Sequence, residues 1–208
     1  MRRVCLLLGL CCLALIWLGP LLWTWRQSFA SHMLAHMGVV AVAAPLIGIG
    51  LAGRVWAGSS LPGLPVVASL IELVVVWAWH APFLRDLAER SVLVTILEQA
   101  SFLGAGLLLW VSCLGAAKRH GGKAVGMAGL LLTSIHMTLL GALLALSPRP
   151  LFGTGEVTCF GLVLGPQQDQ ALGGVIMLFI GGVVYLAGGL ALMFRLLGES
   201  ATTGKAAR

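Results

Sequence analysis

Polar residues in this chain come in clusters, and the clusters are separated by long apolar runs. Runs near 4–24, 32–52, 64–81, 92–114, 125–147 and 171–195 each carry at most one charged residue. Apolar and polar positions do not alternate within them, which argues against half-buried strands. About 20 apolar residues at about 1.5 Å per residue span the hydrocarbon core of a bilayer. In lipid every backbone polar group must find its partner inside the protein, and a helix does this within one segment. The pattern predicts an all-α integral membrane bundle of about six transmembrane helices, forming a single domain over residues 1–208. Short polar stretches join the runs: Ser59-Ser60-Leu61-Pro62-Gly63, the charged segment from Arg85 to Arg90, Lys118 to Lys123, and a longer loop from Ser147 to Gln170.

Composition supports lipid as the solvent. Of 208 residues 59% are hydrophobic and 10% charged, whereas a soluble domain carries roughly 25% charged residues. No length remains for a separate soluble domain. The net charge of +6 reads as topology rather than as affinity for nucleic acid. With the N-terminus in the cytoplasm, nine of the thirteen basic residues face inward: Arg2, Arg3, Arg54, Lys118, Arg119, Lys123, Arg195, Lys205 and Arg208. Arg26, Arg85, Arg90 and Arg149 face outward. The positive-inside rule thus selects an N-in, C-in arrangement of six spans. Met1-Arg2-Arg3 followed by an apolar run resembles a signal peptide, with Ser28-Phe29-Ala30 as a cleavage site. The run is longer than a usual signal core, and Trp17, Trp23 and Trp25 form an interfacial belt at its end, so a retained helix is expected. Cys5, Cys11, Cys12, Cys113 and Cys159 contain no CxxC pair and read as small packing residues.

Polar groups inside spans are costly and therefore candidates for function. They are His32, His36, Glu72, His80, Glu98 and His136, with Asp169 and Gln170 at the start of the last span. In the six-span topology His32, His36, His80 and His136 all fall in the outer half of the membrane, His136 the deepest, and His120 lies in a cytoplasmic loop. His32-Met33-Leu34-Ala35-His36-Met37 places two histidines on one helical face and two methionines on a neighbouring one. Imidazole and thioether together suit copper, Cu(I) above all, and the layer lacks the thiolates of a structural zinc site. Met137 and Met177 add sulfur at similar depth. The expected metal set is His32, His36, His80 and His136 with Met33, Met37, Met137 and Met177, and Glu98 and Asp169 stand behind it. At least three of the histidines should converge on one point, His36 the surest. The plain alternative is helix packing through histidine hydrogen bonds. Paired histidines could also ligate b-type haem. Glu72 lies nearer the cytoplasm, apart from this layer, and Trp77, Trp79 and Trp110 read as packing or interfacial residues. No phosphate loop, GxSxG, HExxH or dinucleotide fingerprint occurs, and no enzymatic activity is expected.

His32-Met33 through His36-Met37, Ala44-Pro45-Leu46, Trp79-His80-Ala81-Pro82, Glu98 with Trp110, His136 with Gly141, and Asp169-Gln170 with Gly173 and Met177 follow one another along residues 30 to 180. In this order the chain resembles the CtaG family of multi-spanning cytochrome c oxidase assembly factors. It departs from relatives at Ala35, where a polar residue is common, and at Leu178, where an aromatic is. The resemblance implies a multi-pass protein of the bacterial inner membrane. It implies that the protein handles or delivers copper for a haem–copper oxidase of the respiratory chain, with an oxidase subunit and a periplasmic copper chaperone as partners.

Overall fold

The computed structural model describes residues 1–51, 62–118 and 122–206. Arg54, Ser59 to Leu61, Arg119 and His120 lie outside the described residues. The elements in chain order are α1 (Arg2–Leu18), α2 (Pro20–Trp23), α3 (Phe29–Met37), a π-helical segment (Gly38–Ala43), α4 (Ala44–Leu51), α5 (Leu64–Trp79), α6 (Pro82–Arg90), α7 (Val92–Ala116), α8 (Gly122–Ala145), strands β1 (Val157–Cys159) and β2 (Leu162–Leu164), and α9 (Pro166–Ala206). Five helical stretches are long and apolar enough to cross a membrane: Arg2–Trp23, Phe29–Leu51, Val92–Ala116, Gly122–Ala145 and Pro166–Gly198. The pair α5 and α6, bent by 71°, is long and apolar enough only when taken together, and makes the count six if it crosses as one broken span. The chain is therefore an all-α membrane bundle.

Two polar connections are more ordered than the sequence pattern suggests. Arg85 to Arg90 is helical rather than a loop, because Pro82 starts a new helix after the α5 chain turns at His80 and Ala81. The 147–170 connection holds the antiparallel pair β1–β2, closed at Phe160 and Gly161, both with positive φ. This hairpin, α6 and the α2–α3 link share one end of the bundle, referred to below as the hairpin end.

Asp169 and Gln170 tie this end together. The first N–H groups of a helix have no partner within it. At α3, Asp169 from α9 accepts from the Phe29 and Ala30 amides (2.5 and 3.1 Å) and from the Ser28 hydroxyl (2.7 Å). Ser28 in turn accepts from the Ser31 amide (3.2 Å). Gln170 accepts from the Leu151 amide and donates to the Leu144 carbonyl near the end of α8. Lower down, α8 and α9 cross at backbone contact: a Cβ on Gly174 would lie 2.5 Å from the Ala145 nitrogen and 2.7 Å from the Gly141 oxygen. Such glycine crossings are how lipid-embedded helices gain dispersion contact where no hydrophobic driving force separates helix from lipid.

The span from Phe29 to Leu51 is not regular. Over Gly38–Ala43 the ladder widens to i→i−5, as in the Ala44 amide bonding the Val39 carbonyl. The next donor in that register would be Pro45, which has no N–H. The Val40 carbonyl is thus released from its own backbone, and side chains take it up: Trp110 Nε1 donates at 3.1 Å and the Tyr185 hydroxyl lies at 3.2 Å. The Ala44-Pro45 pair has its physical role here.

Candidate metal centre

Three helices bring imidazoles together below the hairpin. Histidines four apart on α3 share a face, so His32 and His36 both point inward, 3% and 0% exposed. His80, the residue capping α5, comes between them: its ring centroid lies 5.5 Å from that of His36 and 6.4 Å from that of His32. His136 from α8 approaches His36 closely enough for charges on the two to interact. Phe102 packs on His36 at 4.0 Å, and Phe29 meets the His80 ring edge-on at 6.3 Å. Phe152 stacks on Phe29 from above at 4.2 Å and roofs the layer.

Hydrogen bonding assigns protons to two of the rings. His80 Nδ1 lies 2.6 Å from the Val76 carbonyl, which can only accept, so Nδ1 carries the proton. Nε2 then presents a lone pair, and it faces the Met33 sulfur at 3.3 Å. A backbone carbonyl orienting one nitrogen so that the other can ligate is a recurrent feature of metal-binding histidine. His32 differs. Arg85 can only donate, and its Nη1 lies 3.1 Å from His32 Nδ1, so that nitrogen is the acceptor. The proton then sits on Nε2, 3.5 Å from Glu98 Oε1: an ion-pair distance, too long and poorly aligned for a hydrogen bond. His32 therefore belongs to a chain from Arg85 to Glu98 and has no free lone pair in this arrangement.

Both nitrogens of His36, both nitrogens of His136 and both oxygens of Glu98 are buried without a hydrogen-bond partner among the described residues. Nitrogen donors left bare in an apolar layer are the condition a soft metal ion would satisfy. Met33, Met37, Met137 and Met177 are all fully buried. Met37 and Met137 meet near Gly181, 3.6 and 3.1 Å from where its Cβ would be. The rings stand wider than a closed site: among the described residues no three His, Cys, Asp or Glu side chains are placed to hold one ion. The donors this layer offers are thus nitrogen plus thioether sulfur, with His80 and Met33 a pair 3.3 Å apart.

Asp169 stands apart from the imidazoles and spends its hydrogen bonds on the start of α3. Cys159, at the hairpin, is 1% exposed, and burial raises its thiol above the ordinary range, which keeps it protonated and a weak ligand. Reading the sequence missed Arg85 as a member of this layer, although a buried arginine near a span end is itself a signal. Arg85 also donates to the Arg26 carbonyl (3.1 Å) and pairs with Glu89 (3.0 Å), while Arg26 donates to the Ala88 carbonyl. These reciprocal bonds hold α6 against the α2–α3 link. Arg26, His32, Arg85 and Glu98 line a cavity of about 10 Å³ there, room for about one water.

No curated protein and no solved structure matches the chain. The family model for the cytochrome c oxidase caa3 assembly factor, Caa3_CtaG, matches residues 1–199. That stretch takes in every residue of the histidine layer, and the chain belongs to the CtaG family of cytochrome c oxidase assembly factors.

Proposed function

We propose that this assembly factor handles copper as cargo, holding it in the histidine layer and passing it to a haem–copper oxidase subunit. The observation that carries the reading is the His80 lone pair facing Met33 sulfur, beside four unpartnered nitrogens of His36 and His136. His80, His36, His136 and Met33 would hold the ion, and Met37, Met137 and Met177 offer further thioether contacts. Soft, uncharged donors in a buried layer favour Cu(I) over magnesium or calcium, which require oxygen. Arg85, His32 and Glu98, also members of this layer, set the charge that an incoming ion would meet.

The distribution of Lys and Arg supports a hairpin end facing the periplasm of a bacterial inner membrane. A periplasmic copper chaperone and the oxidase subunit would then meet the protein on that side. In a deletion strain, oxidases that contain copper should lose activity while copper-free oxidases keep it, and a His36→Leu/His80→Leu copy should fail to restore the loss. Equal loss of both oxidase types would contradict a copper-specific role. A Soret band from the purified protein would instead favour haem between the histidines.

A further inference from the structure

A second polar cluster lies on the same helices, deeper in the bundle. Glu72 is eight residues before His80 on α5, Trp110 twelve after Glu98 on α7, Tyr185 eight after Met177 on α9, and Val40 four after His36. Eight residues correspond to about 12 Å along a helix. Glu72 and Tyr185 are both 0% exposed. The Tyr185 hydroxyl is 2.8 Å from Glu72 Oε1 and 3.2 Å from the Val40 carbonyl, to which Trp110 also donates.

Tyr185 has one proton and two neighbours that can accept it. Were Glu72 ionised, that proton would go to the carboxylate, and the Val40 carbonyl would keep the Trp110 donor alone. The charge would also be buried with no described Lys, Arg or His in an ion pair with it, an arrangement lipid-embedded proteins avoid. As a neutral acid, Glu72 donates to the Tyr185 oxygen. Tyr185 then donates its own O–H to the Val40 carbonyl, whose two lone pairs are filled by Tyr185 and Trp110. Every proton has an acceptor in this arrangement.

We infer that Glu72 is held as a neutral carboxylic acid which, through Tyr185, grips the released Val40 carbonyl and thereby positions the His36 turn. Glu72 is a positioning residue; it does not touch the histidines. Without the grip, Trp110 would be the only donor left to the Val40 carbonyl in an apolar interior, and the π-helical segment would relieve the weakened hold by changing register. A one-residue change rotates everything before it by about 100°, enough to turn His36 and Met37 out of the layer. That the turn matters for copper rests on the metal-handling reading, whereas the protonation and the positioning do not.

The test uses the full chain in lipid nanodiscs. Infrared spectra at neutral pH should show a protonated-carboxyl C=O band that disappears in Glu72→Gln. The nitrogen NMR signals of His36, identified by their loss in His36→Gln, should be unmoved in Glu72→Gln, where the amide N–H replaces the acid O–H as donor. They should shift in Tyr185→Phe, which cuts the link. Cu(I) affinity should follow, unchanged in Glu72→Gln and about tenfold weaker in Tyr185→Phe, the scale of outer-shell effects at metal sites. No band lost in Glu72→Gln, or His36 signals unmoved in Tyr185→Phe, would overturn the inference. A wild-type protein that binds no copper but gives the expected infrared and NMR results would sink the metal-handling reading alone.

Discussion

The hairpin-end layer and the deeper cluster are built from the same helices, yet they treat their polar atoms in opposite ways. In the deeper cluster Trp110, Tyr185, Val40 and the Ser69–Thr133 hydroxyl pair all have partners, and only Glu72 Oε2 lacks one. In the hairpin-end layer His36, His136 and Glu98 have both side-chain polar atoms unpartnered, and His32 has one. A buried polar atom without a partner costs about 1–3 kcal/mol. One such atom can be absorbed by a fold, but several in one layer call for something that fills them. The deeper cluster is completed by the chain itself and holds helices in place, while on the proposed reading the hairpin-end layer would be completed by a bound copper ion.

Substitutions can break or sharpen this contrast. Gly174→Leu strikes the α8–α9 crossing that both layers share, so both should fail together, with a loss of about 3 kcal/mol in thermal unfolding. His36→Leu should weaken Cu(I) binding by at least about 100-fold, because losing a ligand should cost no less than the upper end of what outer-shell changes do. The same substitution should leave stability unchanged or higher, because a bare imidazole is replaced by an apolar group. Tyr185→Phe should do the reverse in stability and cost about 1.5 kcal/mol, since it removes a satisfied hydroxyl. That pair of opposite signs, read by unfolding in the same detergent, is the sharpest check on the contrast. Asp169→Asn should cost about 1 kcal/mol, as loss of a helix-start acceptor does, and loosen the hairpin end without changing the deeper cluster.

The spans were readable because apolar run length is a local property, and so was the grouping of His32, His36 and His80, which follows from depth alone. What could not be read depends on contacts between distant residues. Arg85 sits in a charged stretch that looks like a solvated turn, and only its bond to His32, 53 residues away, shows that it occupies a would-be ligand. Asp169 reads as a carboxylate near the histidines, but its partners are the amides of α3, some 140 residues earlier. Glu72 looked unrelated to the histidine layer, and it touches none of the histidines. Its link to Val40 runs through Tyr185, the only tyrosine in the chain, 113 residues away. Pro45 could have been read as a break in the helix, but which carbonyl it releases, and what takes that carbonyl up, is settled by packing.

The central claim is that the hairpin-end layer is a copper site completed by its guest. The most direct measurement is a Cu(I) titration of the purified full chain against His36→Leu/His80→Leu, with X-ray absorption on the loaded protein. The expected result is one ion per chain in the wild type, bound through nitrogen and sulfur, and none in the double variant. Copper uptake that is the same in both proteins, or an ion surrounded by oxygen alone, would contradict it.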